Sequence, residues 1–176
     1  MGTFLFILGV VAVGIFLVFG LTTFIGAPYV PSQRRYMKRA LTKLYPLHKK
    51  DVLVDVGSGD GKVLRYAASI GARAVGYEVN PILVGISRLL SRGNNLVETR
   101  LADFWLATLP DETTIVYVFA VSRDTARIAK KLQQEVNRMG RDVSVVSYGS
   151  ELEALTPVRQ LDAYHLYTLQ PQANSV

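Results

Sequence analysis

The chain contains no cysteine, which excludes disulfides and thiolate metal sites. It has only two histidines, His48 and His165, far apart and without ligand-like spacing, so they read as ordinary surface or core residues. There is no charged residue from Thr3 to Ala27, no G-x-x-x-G spacing in that stretch to specify helix dimerisation, and no acid from Arg34 to Lys50. No internal repeat or low-complexity linker breaks the chain, and its 176 residues suffice for one domain with a sizeable core.

The uncharged stretch is built mostly of Phe, Leu, Ile, Val, Gly and Ala. Its 25 residues are enough to cross a hydrocarbon layer about 30 Å thick with some tilt, so residues 1–27 are expected to form a transmembrane anchor. A cleaved signal peptide is disfavoured by the missing basic n-region, the excess length and the lack of an A-x-A site. A core helix without a polar face is disfavoured too.

Charge is distributed unevenly. Arg34, Arg35, Lys38, Arg39, Lys43, Lys49 and Lys50 place seven bases in residues 34–50, while from Asp51 onward 13 bases face 14 acids, so the net +6 is carried next to the apolar stretch. The positive-inside rule then puts the rest of the chain on the cytoplasmic side, or on the matrix side of the inner membrane in a mitochondrion. The basic segment reads as a headgroup-binding stretch or as a solvated helix face. A nucleic-acid stripe is disfavoured because the remaining domain is near neutral, and no specific nucleic-acid partner is expected.

Periodicity predicts a pre-domain segment over 28–50, with Pro28 and Pro31 stiffening its entry and Ser32 capping a helix from Gln33 to Leu44 that stops at Pro46. Strands are expected at Asp51–Val56, Arg73–Glu78, Leu96–Leu101, Thr114–Ala120 and Val143–Tyr148. Helices are expected at Gly61–Ile70, from Asn80 or Pro81 to Arg92, and at Arg123–Met139 behind a Ser122 cap. The tail offers an antiparallel pair near Val158–Leu161 and Tyr164–Leu169. Residues 51–176 thus read as an α/β domain, a mostly parallel sheet with helices on both faces. Ligands of such sheets lie beyond the carboxyl ends of the strands.

On that edge falls Asp55-Val56-Gly57-Ser58-Gly59-Asp60-Gly61. Three alternating glycines permit a sharp turn and close backbone approach, and the helix start behind them offers free N–H groups. Glu78 follows Gly61 by 17 residues, about where a second strand returns an acid to ribose hydroxyls. A dinucleotide site uses G-x-G-x-x-G, whereas here the third glycine comes one residue early and an acid precedes the first by two. D-x-G-x-G-x-G is the pattern of class I S-adenosylmethionine (SAM) methyltransferases. An acid suits the ammonium of a methionine group and repels a pyrophosphate.

The chain further resembles the membrane-anchored protein-lysine methyltransferases that act on the ATP synthase c-subunit and the adenine nucleotide translocase, with their bacterial relatives. The matching pieces are Pro28-Tyr29-Val30-Pro31-Ser32, Val54 to Lys62, Gly76-Tyr77-Glu78-Val79-Asn80-Pro81, Leu83-Val84 with Ser87-Arg88, Ala102-Asp103-Phe104-Trp105, and Lys130-Lys131-Leu132. The resemblance implies a Rossmann-like class I fold with SAM as cofactor. It implies a SAM loop of Asp55, Gly57, Ser58, Gly59 and Gly61, ribose contacts from Glu78, and help from Asn80. It implies an adenine contact from Asp103 with Phe104 against the ring. Tyr29 and Ser32 would close over the methionine end and the target, as the catalytic pair. One departure is the turn after the fourth strand, where relatives tend to carry proline and this chain reads Phe119-Ala120-Val121-Ser122. The implied partners are the bilayer and a membrane-protein substrate. A lipid headgroup or small amphiphile as acceptor, and a non-catalytic SAM-binding scaffold, are the alternatives.

Overall fold

The computed structural model describes residues 2–25 and 34–172, with side chains at 2–14 and 34–172. It divides into two compact units, Met1–Val30 and Pro31–Val176.

The first unit is helix α1 (Gly2–Ile25), 24 residues with no charge in either end turn. Its described side chains are exposed all round, Phe4 and Phe6 among them. Among the described residues no helix is long and apolar enough to cross a membrane. The described side chains of α1 end at residue 14, about 20 Å of helical rise. The span expected over 3–27 is therefore helical through Ile25, and no bilayer-crossing segment is established among the described residues.

The second unit is built on seven strands: β1 (Val52–Val56), β2 (Arg73–Glu78), β3 (Val97–Leu101), β4 (Ile115–Ala120), β5 (Val143–Gly149), β6 (Arg159–Leu161) and β7 (Tyr164–Leu169). They lie in the order β3-β2-β1-β4-β5-β7-β6. β1 to β5 run parallel, and β7 runs antiparallel to both β5 and β6. The chain works outward from β1 to β3 and then crosses to β4, so the switch point lies between β1 and β4 at the carboxyl edge.

Alternation along the strands feeds two cores. Leu53, Ile115, Tyr117 and Val146 face one side, where Met37, Leu41, Leu44, Val63, Leu64 and Ala67 cover them. Val54, Val116, Val118 and Val145 face the other, under Ile128, Leu132 and Val136 of α5 (Thr125–Met139). A parallel sheet needs this double cover because both of its faces are apolar. α3 (Lys62–Ile70) and α4 (Pro81–Leu90) complete the crossovers, α3 supplying Val63, Leu64 and Ala67 to the first core.

Two helix expectations need correction. The stretch 33–44 is not one α-helix: α2 covers Arg34–Arg39 and gives way to a π-helical turn, Ala40–Leu44. Tyr45 N–H bonds back to the Ala40 carbonyl at 2.9 Å, five residues away, and the Thr42 hydroxyl donates to the Lys38 carbonyl at 2.8 Å. That side-chain bond competes with the regular ladder. The widened turn keeps Ala40, Leu41 and Leu44 all at 1% exposure or less, so packing decides the outcome. At the other site, Ser122 does not cap the long helix with its side chain: Ser122–Asp124 is a 3₁₀ turn, and α5 starts at Thr125. The Thr125 hydroxyl donates to the Ser122 carbonyl at 3.1 Å and fixes that turn instead.

Candidate active site

β1 ends in the glycine loop. Gly57, Gly59 and Gly61 take φ of 74°, 54° and 76°, in the left-handed region where a side chain is strained. A Cβ on Gly57 would meet nothing within 4 Å, so the backbone there borders open space. A Cβ on Gly61 would land on Ser87 Oγ, so that glycine is what lets α4 close against the loop. The loop is tied to β2 by Gly57 N–H and Ser58 N–H, which both reach the Tyr77 carbonyl, at 2.9 and 3.0 Å.

Glu78, at the end of β2, is 8% exposed. One of its carboxylate oxygens accepts from Gly59 N–H at 2.9 Å and the other from Asn80 N–H at 2.8 Å. Asn80 Oδ1 in turn accepts from Ile82 N–H at 2.9 Å, capping α4, whose first residue is Pro81. The acid therefore joins the glycine loop to the start of α4 besides facing the carboxyl edge.

Asp55 is 4% exposed, beside Gly76 on β2 and Tyr117 on β4. Burial, then the charges of Glu78 and Asp60, push its carboxyl up to about 8. Among the described residues, the charged groups that shift its acidity, Glu78 and Asp60, are both acids. A buried carboxylate in this state favours either a proton or an incoming cation. Ser58 Oγ is buried as well and has no hydrogen-bond partner among the described residues. These features fit SAM: a carboxylate short of positive charge, an orphaned hydroxyl and an open glycine backbone. Asp55 would take the ammonium, the loop would border the methionine, and Glu78 would take the ribose hydroxyls.

Beyond β3 the chain turns tightly. Asp103 Oδ1 accepts from Trp105 N–H at 2.9 Å, and the Asp103 carbonyl accepts from Leu106 and Ala107 N–H. The structure sets Phe104 into the core at 5% exposure, its ring 5.3 Å from that of Trp105. Phe104 packs within the core cluster, and the half-buried Trp105 carries the Arg127 guanidinium 3.9 Å from its ring centroid. Tyr29 and Ser32 lie outside the described residues.

Several participants escape a reading of the sequence alone. Gly76 leaves the space that Ser58 occupies, since a Cβ there would land on the Ser58 side chain. Its signal is its place two residues before Glu78. Glu135, 5% exposed, accepts from Lys131 Nζ at 2.7 Å, Arg138 Nε at 3.0 Å and Leu109 N–H at 3.2 Å. Burial alone would raise its carboxyl; Lys131, Leu109 N–H and Arg138 outweigh that and hold it below the usual range. Lys131 also donates to the Ala107 carbonyl at 2.7 Å, so this buried network clamps the post-β3 loop onto α5. On the far half of the sheet Phe119, Tyr148 and Tyr164 stand in register across β4, β5 and β7. Their ring centroids are 5.5 and 4.7 Å apart in sequence of strands. Gly149, at φ 103°, sits where a Cβ would run into the Ala120 carbonyl at 2.6 Å and lie 3.3 Å from the Phe119 ring.

Comparison with known proteins agrees with this geometry. A solved structure of an RNA methyltransferase from Salinibacter ruber, in complex with S-adenosyl-L-homocysteine, is 28% identical with a TM-score of 0.74, covering 84% of this chain and 98% of that one. The ATP synthase c-subunit lysine N-methyltransferase of Rattus norvegicus is 32% identical over 120 residues, 66% of this chain and 54% of that protein. The adenine nucleotide translocase lysine N-methyltransferase of Mus musculus is 36% identical over 121 residues, 66% and 52% of the two chains. The chain thus spans about half the length of the curated relatives it matches. The model of the ANTKMT methyltransferase domain matches residues 55–159, from Asp55 through the first residue of β6, and the chain belongs to that family of SAM-dependent methyltransferases.

Proposed function

We propose that this protein N-methylates a lysine of a membrane or membrane-associated protein, working from an N-terminal membrane anchor. The observation that carries the reading is the carboxyl edge itself: Asp55 buried without a cation, Glu78 holding Gly59 N–H, and an open glycine backbone, in a family whose named relatives are lysine methyltransferases. The membrane part rests on the uncharged residues 3–27, of which α1 makes the stretch through Ile25 helical, and on the acid-free basic segment after them. The organisation is an anchor over 1–27, a pre-domain segment over 28–50 and the catalytic domain over 51–176. The domain faces the cytoplasm, or the matrix in a mitochondrion.

SAM supplies an electrophilic methyl on a sulfonium. The lysine Nζ lone pair forms the new N–C bond while the C–S pair returns to sulfur, and the nitrogen's surplus proton leaves to water. Such a displacement needs alignment more than an acid or base. What the protein must provide is a neutral amine, whose ordinary pKa of about 10.4 falls on desolvation. Phe119 and Tyr148, half-buried at the carboxyl edge of β4 and β5, supply an apolar wall for that purpose. Phe119 follows Val118, the register partner of Val56, which places it beside the start of the glycine loop. The resemblance assigns Tyr29 and Ser32, which lie outside the described residues, to contact with the target.

The test is transfer of label from methyl-labelled SAM into native membranes, with Glu78→Ala as control. A discrete protein band, lost in the control and mapping to a lysine, is the expected result. Label in the lipid extract would move the acceptor to a headgroup. A second reading has one specific observation behind it: the Salinibacter ruber protein, matched over nearly all its length, is an RNA methyltransferase. Label in the RNA fraction would favour it.

A further inference from the structure

The acid-free segment 34–50 acquires a defined shape in the fold. Met37, Ala40, Leu41 and Leu44 are at 1% exposure or less and form the inner side of α2 and the π-helical turn. Arg34, Arg35, Lys38, Arg39, Thr42 and Lys43 are all exposed. Tyr36 is exposed as well, at 39%, so the outer side is basic at every position except a tyrosine and a threonine.

The turn is held firmly. The Arg159 guanidinium, from β6, donates to the Leu44 carbonyl at 3.0 Å and the Lys43 carbonyl at 2.9 Å, closing the helix end. Arg39 pairs with Asp162 at 3.0 Å, and Lys38 Nζ lies 5.5 Å from the Tyr66 ring centroid. The face is thus a rigid part of the catalytic unit, with its cations fixed on one side.

Folding does not call for this charge. Arg34 and Arg35 occupy the first turn of α2, which contains no acid, and a cation there opposes the helix dipole. Mutual repulsion of five outward cations adds to that cost, with Asp162 the acid that pairs within the face. An external anionic surface removes both penalties. Only eight residues of chain, 26–33, separate α2 from the uncharged helix α1. The rest of the domain, from Asp51 on, has 13 bases and 14 acids, so an extended nucleic-acid track is not continued beyond this face.

We infer that the outer face of α2 and its π-helical turn is a docking surface for anionic lipid headgroups, which orients the catalytic unit on the bilayer. Each cation at such a surface strengthens binding about fivefold, and salt screens the effect. The inference adds an oriented contact to the membrane part of the proposed function and holds for any acceptor.

The test uses the full chain in lipid nanodiscs, either of phosphatidylcholine alone or containing phosphatidylglycerol. A water-soluble amine-reactive ester labels lysines, and mass spectrometry gives the rate at each. Lys38 and Lys43 report on the face; Lys130, exposed on α5 over the opposite side of the sheet, is the control. The expected result is labelling of Lys38 and Lys43 at least about fivefold slower in the anionic discs, with Lys130 unchanged. High salt, or Arg34→Gln with Arg35→Gln, restores most of the rate. Equal rates in the two discs, or equal slowing at Lys130, overturns the inference. So does protection of Lys38 and Lys43 by added transfer RNA in neutral discs without protection by lipid. Retention of the chain in neutral discs reads out the anchor separately, so failure of the anchor and failure of this face are told apart.

Discussion

The two halves of the carboxyl edge are built differently. Over β1, β2 and β3 the edge consists of bare backbone and acids: the glycine loop, Asp55, Glu78 and Asp103. Over β4, β5 and β7 it carries the aromatic row Phe119, Tyr148 and Tyr164. The first half offers directed donors and negative charge, which suit a polar, cationic cofactor. In the second, the half-buried Phe119 and Tyr148, backed by the buried Tyr164, offer a largely aromatic surface, which suits an amine that must shed water and its proton. A single mixed sheet thus presents two chemistries because its strands lie on either side of one switch point.

Five single substitutions, one of them also combined with Ser87→Ala, probe this contrast. Glu78→Ala should have the largest effect. It removes the acceptor of Gly59 and Asn80 N–H, and charged hydrogen bonds contribute about 1.5–3 kcal/mol each. SAM affinity by calorimetry should fall more than about a hundredfold. Gly61→Ala should come next, lowering stability by about 2–4 kcal/mol in denaturant unfolding, since it combines a φ of 76° with a clash at Ser87 Oγ. Adding Ser87→Ala should recover the clash component and leave the backbone component.

Asp55→Asn should weaken SAM about tenfold yet stabilise the ligand-free domain at alkaline pH. The sign follows from a folded pKa of about 8 against an ordinary value of 3.8. The native state holds an extra proton across that window, so stability falls as pH rises through it, and the amide abolishes the slope. Unfolding midpoints at acid and alkaline pH check this. The smallest effect belongs to the aromatic half. Phe119→Leu and Tyr148→Leu should each raise the acceptor KM several-fold while leaving SAM affinity unchanged, the split that distinguishes the two halves. Equal change in both parameters would merge them.

The acid half is largely legible in the sequence. β2 reads as Arg73–Glu78, and the tail hairpin falls within a residue of β6 and β7, because short alternating runs bounded by turn residues are local signals. The glycine loop is local too. The aromatic row is not legible: Phe119, Tyr148 and Tyr164 meet only through the register of β4, β5 and β7. Lys131, Glu135 and Arg138 carry a visible helical spacing, but nothing local says that Leu109 N–H and the Ala107 carbonyl complete their network. The break of the 33–44 helix depends on a single Thr42 hydroxyl and on the demand to bury Ala40, Leu41 and Leu44 together.

We propose that Asp55, its carboxyl pushed up to about 8 by burial and by Glu78 and Asp60, gives up its proton to water when the ammonium of SAM binds beside it. The most direct measurement is calorimetric titration of SAM at about pH 6.5 in buffers of differing ionisation enthalpy, which counts protons exchanged on binding. The account predicts release of about one proton by the native protein and none by Asp55→Asn. Tight binding with no proton released by the native protein would contradict it.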